Sequence, residues 1–140
     1  MRGTQYSFLS SQLHDGNLIS VSTIDGTLTL LFSVAGRSKR VNLNGLERLR
    51  ISDFKEGNIA NSVSVYSGEY GLGDERYEEL LRYVYDISNV ASGNPEKTHG
   101  FLKEKLRELN TGNLLLLEIE PSYGCYLVAL GRSISESESI

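Results

Sequence analysis

The first half of the chain alternates apolar and polar positions with a period of two, and the second half changes to a period near 3.6. Asn17–Ile24 carries Ile19 and Val21 in step, and Asp25-Gly26 supplies turn chemistry because glycine takes a positive φ without steric cost. Thr27–Val34 sets Leu28, Leu30, Phe32 and Val34 on one face and Thr27, Thr29, Leu31 and Ser33 on the other. That is the signature of a half-buried antiparallel strand. Ala35-Gly36-Arg37-Ser38 reads as a second turn, and Val41 and Leu43 open another strand that Asn44-Gly45 breaks. Leu46–Ile51 resumes with Leu49 and Ile51 in step, Phe54–Asn58 is a connection, and Ile59–Tyr66 follows with Ile59, Val63 and Val65 inward. Asn61 sits out of place among them.

Tyr77, Leu80, Leu81, Val84 and Ile87 then recur at spacings of three and four, one face of a helix. Asp74 is its expected N-cap, with Glu75 in the first turn where the helix dipole favours negative charge. After Ser92-Gly93-Asn94, the triplet Asn94-Pro95-Glu96 reads as N-cap, first helical residue and first-turn acid. Phe101, Leu102, Leu106 and Leu109 form the second helical stripe, weakened by Gly100 and stopped at Asn110-Thr111-Gly112. Leu114–Glu120 and Cys125–Leu130 close the pattern as a hairpin around Pro121-Ser122-Tyr123-Gly124. Strands cluster rather than alternate with helices. The expected fold is therefore α+β: a mainly antiparallel sheet with two helices inserted before the last two strands. Residues 1–132 are expected to form one domain and residues 133–140, rich in Ser and Glu, a disordered tail.

At 140 residues the chain is long enough to bury a core without disulfide or metal, and 39% hydrophobic content excludes wholesale disorder. A net charge of −4 argues against a dedicated nucleic-acid binder and leaves room for a basic protein partner. The single cysteine, Cys125, excludes an internal disulfide and fits a reducing compartment. Met1 to Leu13 shows no secretory apolar region, and the longest apolar stretch, Leu114–Leu117, is far short of the ~20 residues that span a bilayer. The expected setting is cytoplasmic, with no membrane attachment.

Linear chemical motifs are few. Two histidines, His14 and His99, with no Cys-x-x-Cys and no His-Glu-x-x-His, leave no expected metal or cofactor site. His14-Asp15 can be an acid/base pair, but Asp15-Gly16-Asn17 is first of all a turn signal, and sequence neighbours rarely face each other. Cys125 lies in an apolar strand pattern, which favours a buried, inert thiol over a nucleophile. The glycine-rich stretch Gly68–Asp74 lacks the Gly-Lys-Ser/Thr ending of a phosphate loop and carries Glu69 and Asp74, which repel phosphate.

Charge is unevenly spread. Residues 36–55 hold Arg37, Lys39, Arg40, Arg48, Arg50 and Lys55 against Glu47 and Asp53. Residues 67–86 hold Glu69, Asp74, Glu75, Glu78, Glu79 and Asp86 against Arg76 and Arg82. Such runs are commonly solvated faces. The acidic one is also interleaved with tyrosines, which are over-represented at binding hot spots. Tyr66, Glu69, Tyr70, Asp74, Glu75, Glu78 and Glu79 are therefore the candidate partner-binding residues.

Two stretches carry a family resemblance. His14-Asp15-Gly16-Asn17-Leu18-Ile19-Ser20-Val21 resembles the His-Asp-x-x-Leu-hydrophobic-x-Val opening of many small bacterial domains. The segment Gly45–Ile59, with Asp53-Phe54, Gly57 and Asn58, resembles the Leu-x-x-x-Asp-Phe-x-x-Gly-Asn-Ile segment of the same proteins. Many of these look like immunity proteins of polymorphic-toxin or contact-dependent inhibition systems. The resemblance implies a cytoplasmic, non-enzymatic inhibitor that binds and neutralises one cognate toxin domain, possibly a nuclease, often with acidic residues against a basic surface. It carries over no functional residues, and it implies turn and packing roles for Asp53, Phe54, Gly57 and Asn58. Two other readings stay open: an enzyme without a linear motif using His14, Asp15 or Cys125, and a structural or regulatory module that pairs through a sheet edge.

Overall fold

The computed structural model describes residues 13–68, 73–87 and 95–139. Eight strands, β1 (Asn17–Ile24), β2 (Thr27–Val34), β3 (Arg37–Asn44), β4 (Arg48–Ser52), β5 (Asn58–Tyr66), β6 (Leu115–Tyr123), β7 (Tyr126–Gly131) and β8 (Ser133–Ser139), form one sheet. Helices α1 (Asp74–Val84) and α2 (Pro95–Asn110) lie between β5 and β6. The spatial order is β4-β7-β6-β5-β1-β2-β3-β8, and every neighbouring pair is antiparallel. The α+β class read from the sequence is the class observed.

Short turns set this order. Asp25-Gly26 and Ala35-Gly36 both hold positive φ at their two central residues, as the tightest hairpins require. The second turn is thus two residues rather than four, and Arg37 already pairs with Val34. The sheet curls back on itself. Leu28, Leu30 and Phe32 of β2 and Val41 and Leu43 of β3 share one buried cluster with Leu115, Leu117 and Ile119 of β6 and Leu127 and Ala129 of β7. A methyl group at Gly131 would lie 2.8 Å from the Leu43 side chain, so the end of β7 and the end of β3 touch across the interior.

The helices cover the outer face of β6 and β7. Tyr77, Leu80, Leu81 and Val84 of α1 and Leu102 and Leu109 of α2 pack on Leu116, Val128 and Leu130. Burial on both faces explains the run Leu114–Leu117, because a strand covered on both sides has no reason to alternate. Glu47 ties this layer to the sheet corner: Lys105 Nζ of α2 reaches it at 2.7 Å and Arg132 at 2.9 Å.

Several expectations are corrected. Residues 133–139 are a paired strand and not a disordered tail, so three strands follow the helices instead of two. Composition hid this. The one apolar residue of β8, Ile134, lies opposite Leu43 and packs on the interior, and the acidic segment pairs along a strand bearing Arg37, Lys39 and Arg40. Ile19 is 53% exposed rather than inward, because a bulge between Leu18 and Ser20 turns it out and leaves Leu18 buried. Irregularities at Ile59/Ala60 and Ala60/Ser62 do the same for β5, which accommodates the misplaced Asn61 and makes Ala60, not Ile59, the buried residue. Gly73 occupies the N-cap of α1, and Asp74 is its first residue. Ile87 lies beyond the end of α1, which reaches Val84, and Phe101 is 38% exposed. β6 extends through Pro121 to Tyr123, leaving Gly124-Cys125 as the turn. The expected cap at Asn94 and stop at Ser92-Gly93 lie outside the described residues.

Removing residues 133–140 is expected to lower the free energy of unfolding by about 2 kcal/mol, the order of one lost isoleucine burial. The loss also opens the β3 edge. Urea unfolding of the truncated and full chains measures it, and identical midpoints are the result a disordered tail would give.

Candidate functional site

The two stretches that carry the resemblance meet in space. Asn17 and Leu18 pair with Ile59 and Asn58, the only ladder between β1 and β5 among the described residues. Asn58 is 2% exposed and sits at the centre. Its Oδ1 accepts from the backbone N–H of Lys55 (2.8 Å) and of Cys125 (3.1 Å), and its Nδ2 donates to Leu18 O (3.3 Å). Asp15 N–H donates to Ala60 O and Ala60 N–H to Gly16 O, which carries the connection past the end of the ladder. Asp15, Asp53 and Gly57 hold positive φ. The motif residues Asp53, Gly57 and Asn58 thus form turns and a hydrogen-bond hub. Phe54 is different: it is 47% exposed and lines a shallow groove with Ile19.

His14 and Asp15 do face each other, contrary to the expectation for sequence neighbours, because the left-handed backbone of Asp15 turns the two side chains to one side. Nε2 and the carboxylate are 3.6 Å apart, with both side chains more than half exposed. Nδ1 donates to Asn61 O at 2.5 Å, which fixes the ring at the start of β1. The Cys125 thiol belongs instead to the interior cluster, and burial pushes it up to about 11 from 9.0. A thiol whose folded pKa is raised stays neutral through the ordinary range, and the stability it lends as a neutral group is lost only as pH rises from 9 through 11. Native Cys125 is accordingly expected to react with iodoacetamide at pH 8 at least ~100-fold more slowly than in denaturant. Equal rates would place the thiol on the surface.

The acidic segment divides. Tyr66 is half-buried against the helix-covered cluster, so it is a packing residue. Glu69 and Tyr70 lie outside the described residues. Asp74 turns toward α2, where Asn110 Nδ2 donates to it at 3.0 Å. Glu75, Glu78 and Glu79 stand together on the outer face of α1, as their three- and four-residue spacing requires. They line a cleft of about 630 Å³ completed by Arg50, Arg82, Tyr83, Asp86 and Ile87. The sequence reading missed those five as site residues. The Glu78–Arg82 pair, 2.9 Å apart, was legible from its i,i+4 spacing, but Arg50 arrives from a distant strand and leaves no local signal.

Arg50 and Arg48 of β4 reach the C-terminal end of α1. Arg50 donates to Tyr83 O (2.8 Å), approaches Asp86 (3.3 Å) and stacks over the Tyr83 ring at 4.2 Å. Arg48 Nε donates to Val84 O at 3.3 Å. Two cations thus meet the negative end of the helix dipole. Part of the basic segment therefore neutralises part of the acidic one within the molecule.

Facing α1 from β6 is Glu118, a single carboxylate in an otherwise apolar stretch and only 2% exposed. Arg76 reaches it at 2.9 Å and Tyr126 donates its hydroxyl at 2.7 Å. Burial and this carboxylate together drive the Tyr126 phenol far above its usual range. Arg76 also holds Glu79 at 3.1 Å. Burial works against its charge, yet the two carboxylates keep its pKa raised. Tyr83 stacks edge-on to Tyr126 and shares a hydrogen bond with Ser52. The network fixes the α1 backbone against the sheet and orients its acidic face outward. Glu75 is exposed and makes no ion pair among the described residues. Glu78 and Glu79 are 42% and 63% exposed, in pairs that water screens.

No group of three or more His, Cys, Asp or Glu suited to a metal ion occurs among the described residues, and no described helix is long and apolar enough to cross a membrane. No family model, no curated protein and no solved structure matches the chain.

Proposed function

We propose that this chain is an immunity-type protein of the cytoplasm that binds a cognate toxin domain through the acidic outer face of α1 and neutralises it by contact. The observation that carries the reading is the cleft lined by Glu75, Glu78, Glu79 and Asp86 together with Tyr83 and Ile87, in which the four carboxylates outnumber Arg50 and Arg82. Carboxylates presented from a helix braced by Arg50 and Arg76 offer a preformed target for the guanidinium and ammonium groups of a basic protein, a nuclease being the natural case. Tyr83 and Ile87 supply the apolar contact that charge alone does not. The resemblance in the first 60 residues supports the same reading independently, and its residues hold the β1–β5 junction rather than the cleft.

The test is co-expression with the product of the adjacent upstream gene. The reading expects a complex that survives affinity purification and loss of the toxin's activity on addition of this chain. A neighbour with no toxin-like domain, together with no binding to it, overturns the reading.

A further inference from the structure

Sheet edges are hazards that proteins guard with charge, and the edges of this sheet are guarded unequally. At β4, Arg48 and Arg50 engage the end of α1. At β8, Glu136 pairs with the inward-facing Val41 and so points a carboxylate toward the interior side. β1 and β5 separate after two residue pairs, which leaves each without a ladder partner on one side among the described residues. The β5 stretch Val63-Ser64-Val65 is buried and therefore covered. Among the described residues the β1 stretch is neither covered nor guarded. Ser20, Ser22, Thr23 and Ile24 are exposed, Ile24 at 70%, and from Leu18 to Ile24 there is no charge, proline or glycine.

We infer that the open edge of β1 pairs antiparallel with the same edge of a second copy of this chain. Charge selects the occupant: an edge with no charge meets no like charge in its copy, whereas a cationic partner is drawn to the acidic face of α1. Register makes the edge self-complementary. Ser20, Ser22 and Ile24 lie opposite Leu31, Thr29 and Thr27 and share the outer face. A two-fold axis at Ser22 sets Ile24 against Ser20 of the copy, beside its bulged Ile19 (53% exposed). The two exposed isoleucines of β1 then cover one another.

Sedimentation velocity of the full chain from about 20 µM to 1 mM reads the association, since a ladder this short gives a weak dimer. The double variant Ser22→Lys, Ile24→Lys places the usual edge guard on two exposed side chains, and circular dichroism verifies that it folds. The inference expects wild type to move from monomer toward dimer with rising concentration. It expects the variant to need at least ~10-fold more protein for the same shift. Amide exchange is expected to slow within Ser20–Ile24 of wild type at high concentration. Wild type that stays monomeric overturns the inference, as does a dimer that the variant leaves unchanged. So does slowed exchange at β1 that appears only when a different protein is added.

Discussion

Replacing Asn58 with alanine is expected to lower the free energy of unfolding by about 4 kcal/mol, a large fraction of a small domain's total. The side chain is 2% exposed and satisfies three backbone groups at once. Cys125 N–H and Leu18 C=O are themselves buried, so each left unpaired costs roughly 1–3 kcal/mol, while Lys55 N–H regains water at lower cost. Gly124 packs so closely on the amide oxygen that a side chain there would collide with it. Asn17→Ala, which removes only the 3.3 Å donation to Asn58 O, serves as the matched control and is expected to cost about 1 kcal/mol. Urea unfolding measures both. A loss below 1 kcal/mol for Asn58→Ala would remove the hub from the account.

The residues of this hub also show how far the sequence was legible. Period-two alternation located β1 to β5, length and turn chemistry located β6 and β7, and Tyr77, Leu80, Leu81 and Val84 located the first helix, because burial on one face leaves its period in the chain. Two kinds of feature escaped. Bulges at Ile19 and in β5 shift parity by one residue, and nothing local marks the shift, so Ile19 and Ile59 were read on the wrong face. The eighth strand escaped because its stability comes from β3 and not from its own composition, with Ile134 as its single apolar anchor. The site was legible in the same partial way. Glu75, Glu78 and Glu79 share a helix face by spacing alone. Tyr66 was taken for a surface residue because tyrosine suits both core edge and interface, and only its pairing with Leu116 on the helix-covered face decides between them. Arg50 and Glu118 come from strands remote in sequence, so no periodicity could join them to α1.

On the proposed function, reversing Glu75, Glu78 and Glu79 to lysine is expected to weaken binding of the toxin domain by at least ~100-fold, since close charge pairs across interfaces couple by roughly 1.5–7 kcal/mol. The fold should tolerate the change. The Arg82–Glu78 and Arg76–Glu79 pairs it removes are exposed i,i+4 and i,i+3 contacts, worth about 0.5 kcal/mol each. Arg76 keeps Glu118, so the buried carboxylate remains paired. Because the proposed contact is electrostatic, its affinity is also expected to fall as salt rises, and the variant's residual affinity to depend on salt far less.

The measurement that tests the central claim most directly is a calorimetric titration of the upstream-encoded toxin domain into wild type and into the Glu75→Lys, Glu78→Lys, Glu79→Lys variant at one ionic strength. The account predicts a saturating one-to-one isotherm for wild type and an affinity at least ~100-fold weaker for the variant. Equal affinities for two equally folded proteins would contradict it, and would move the binding surface off α1.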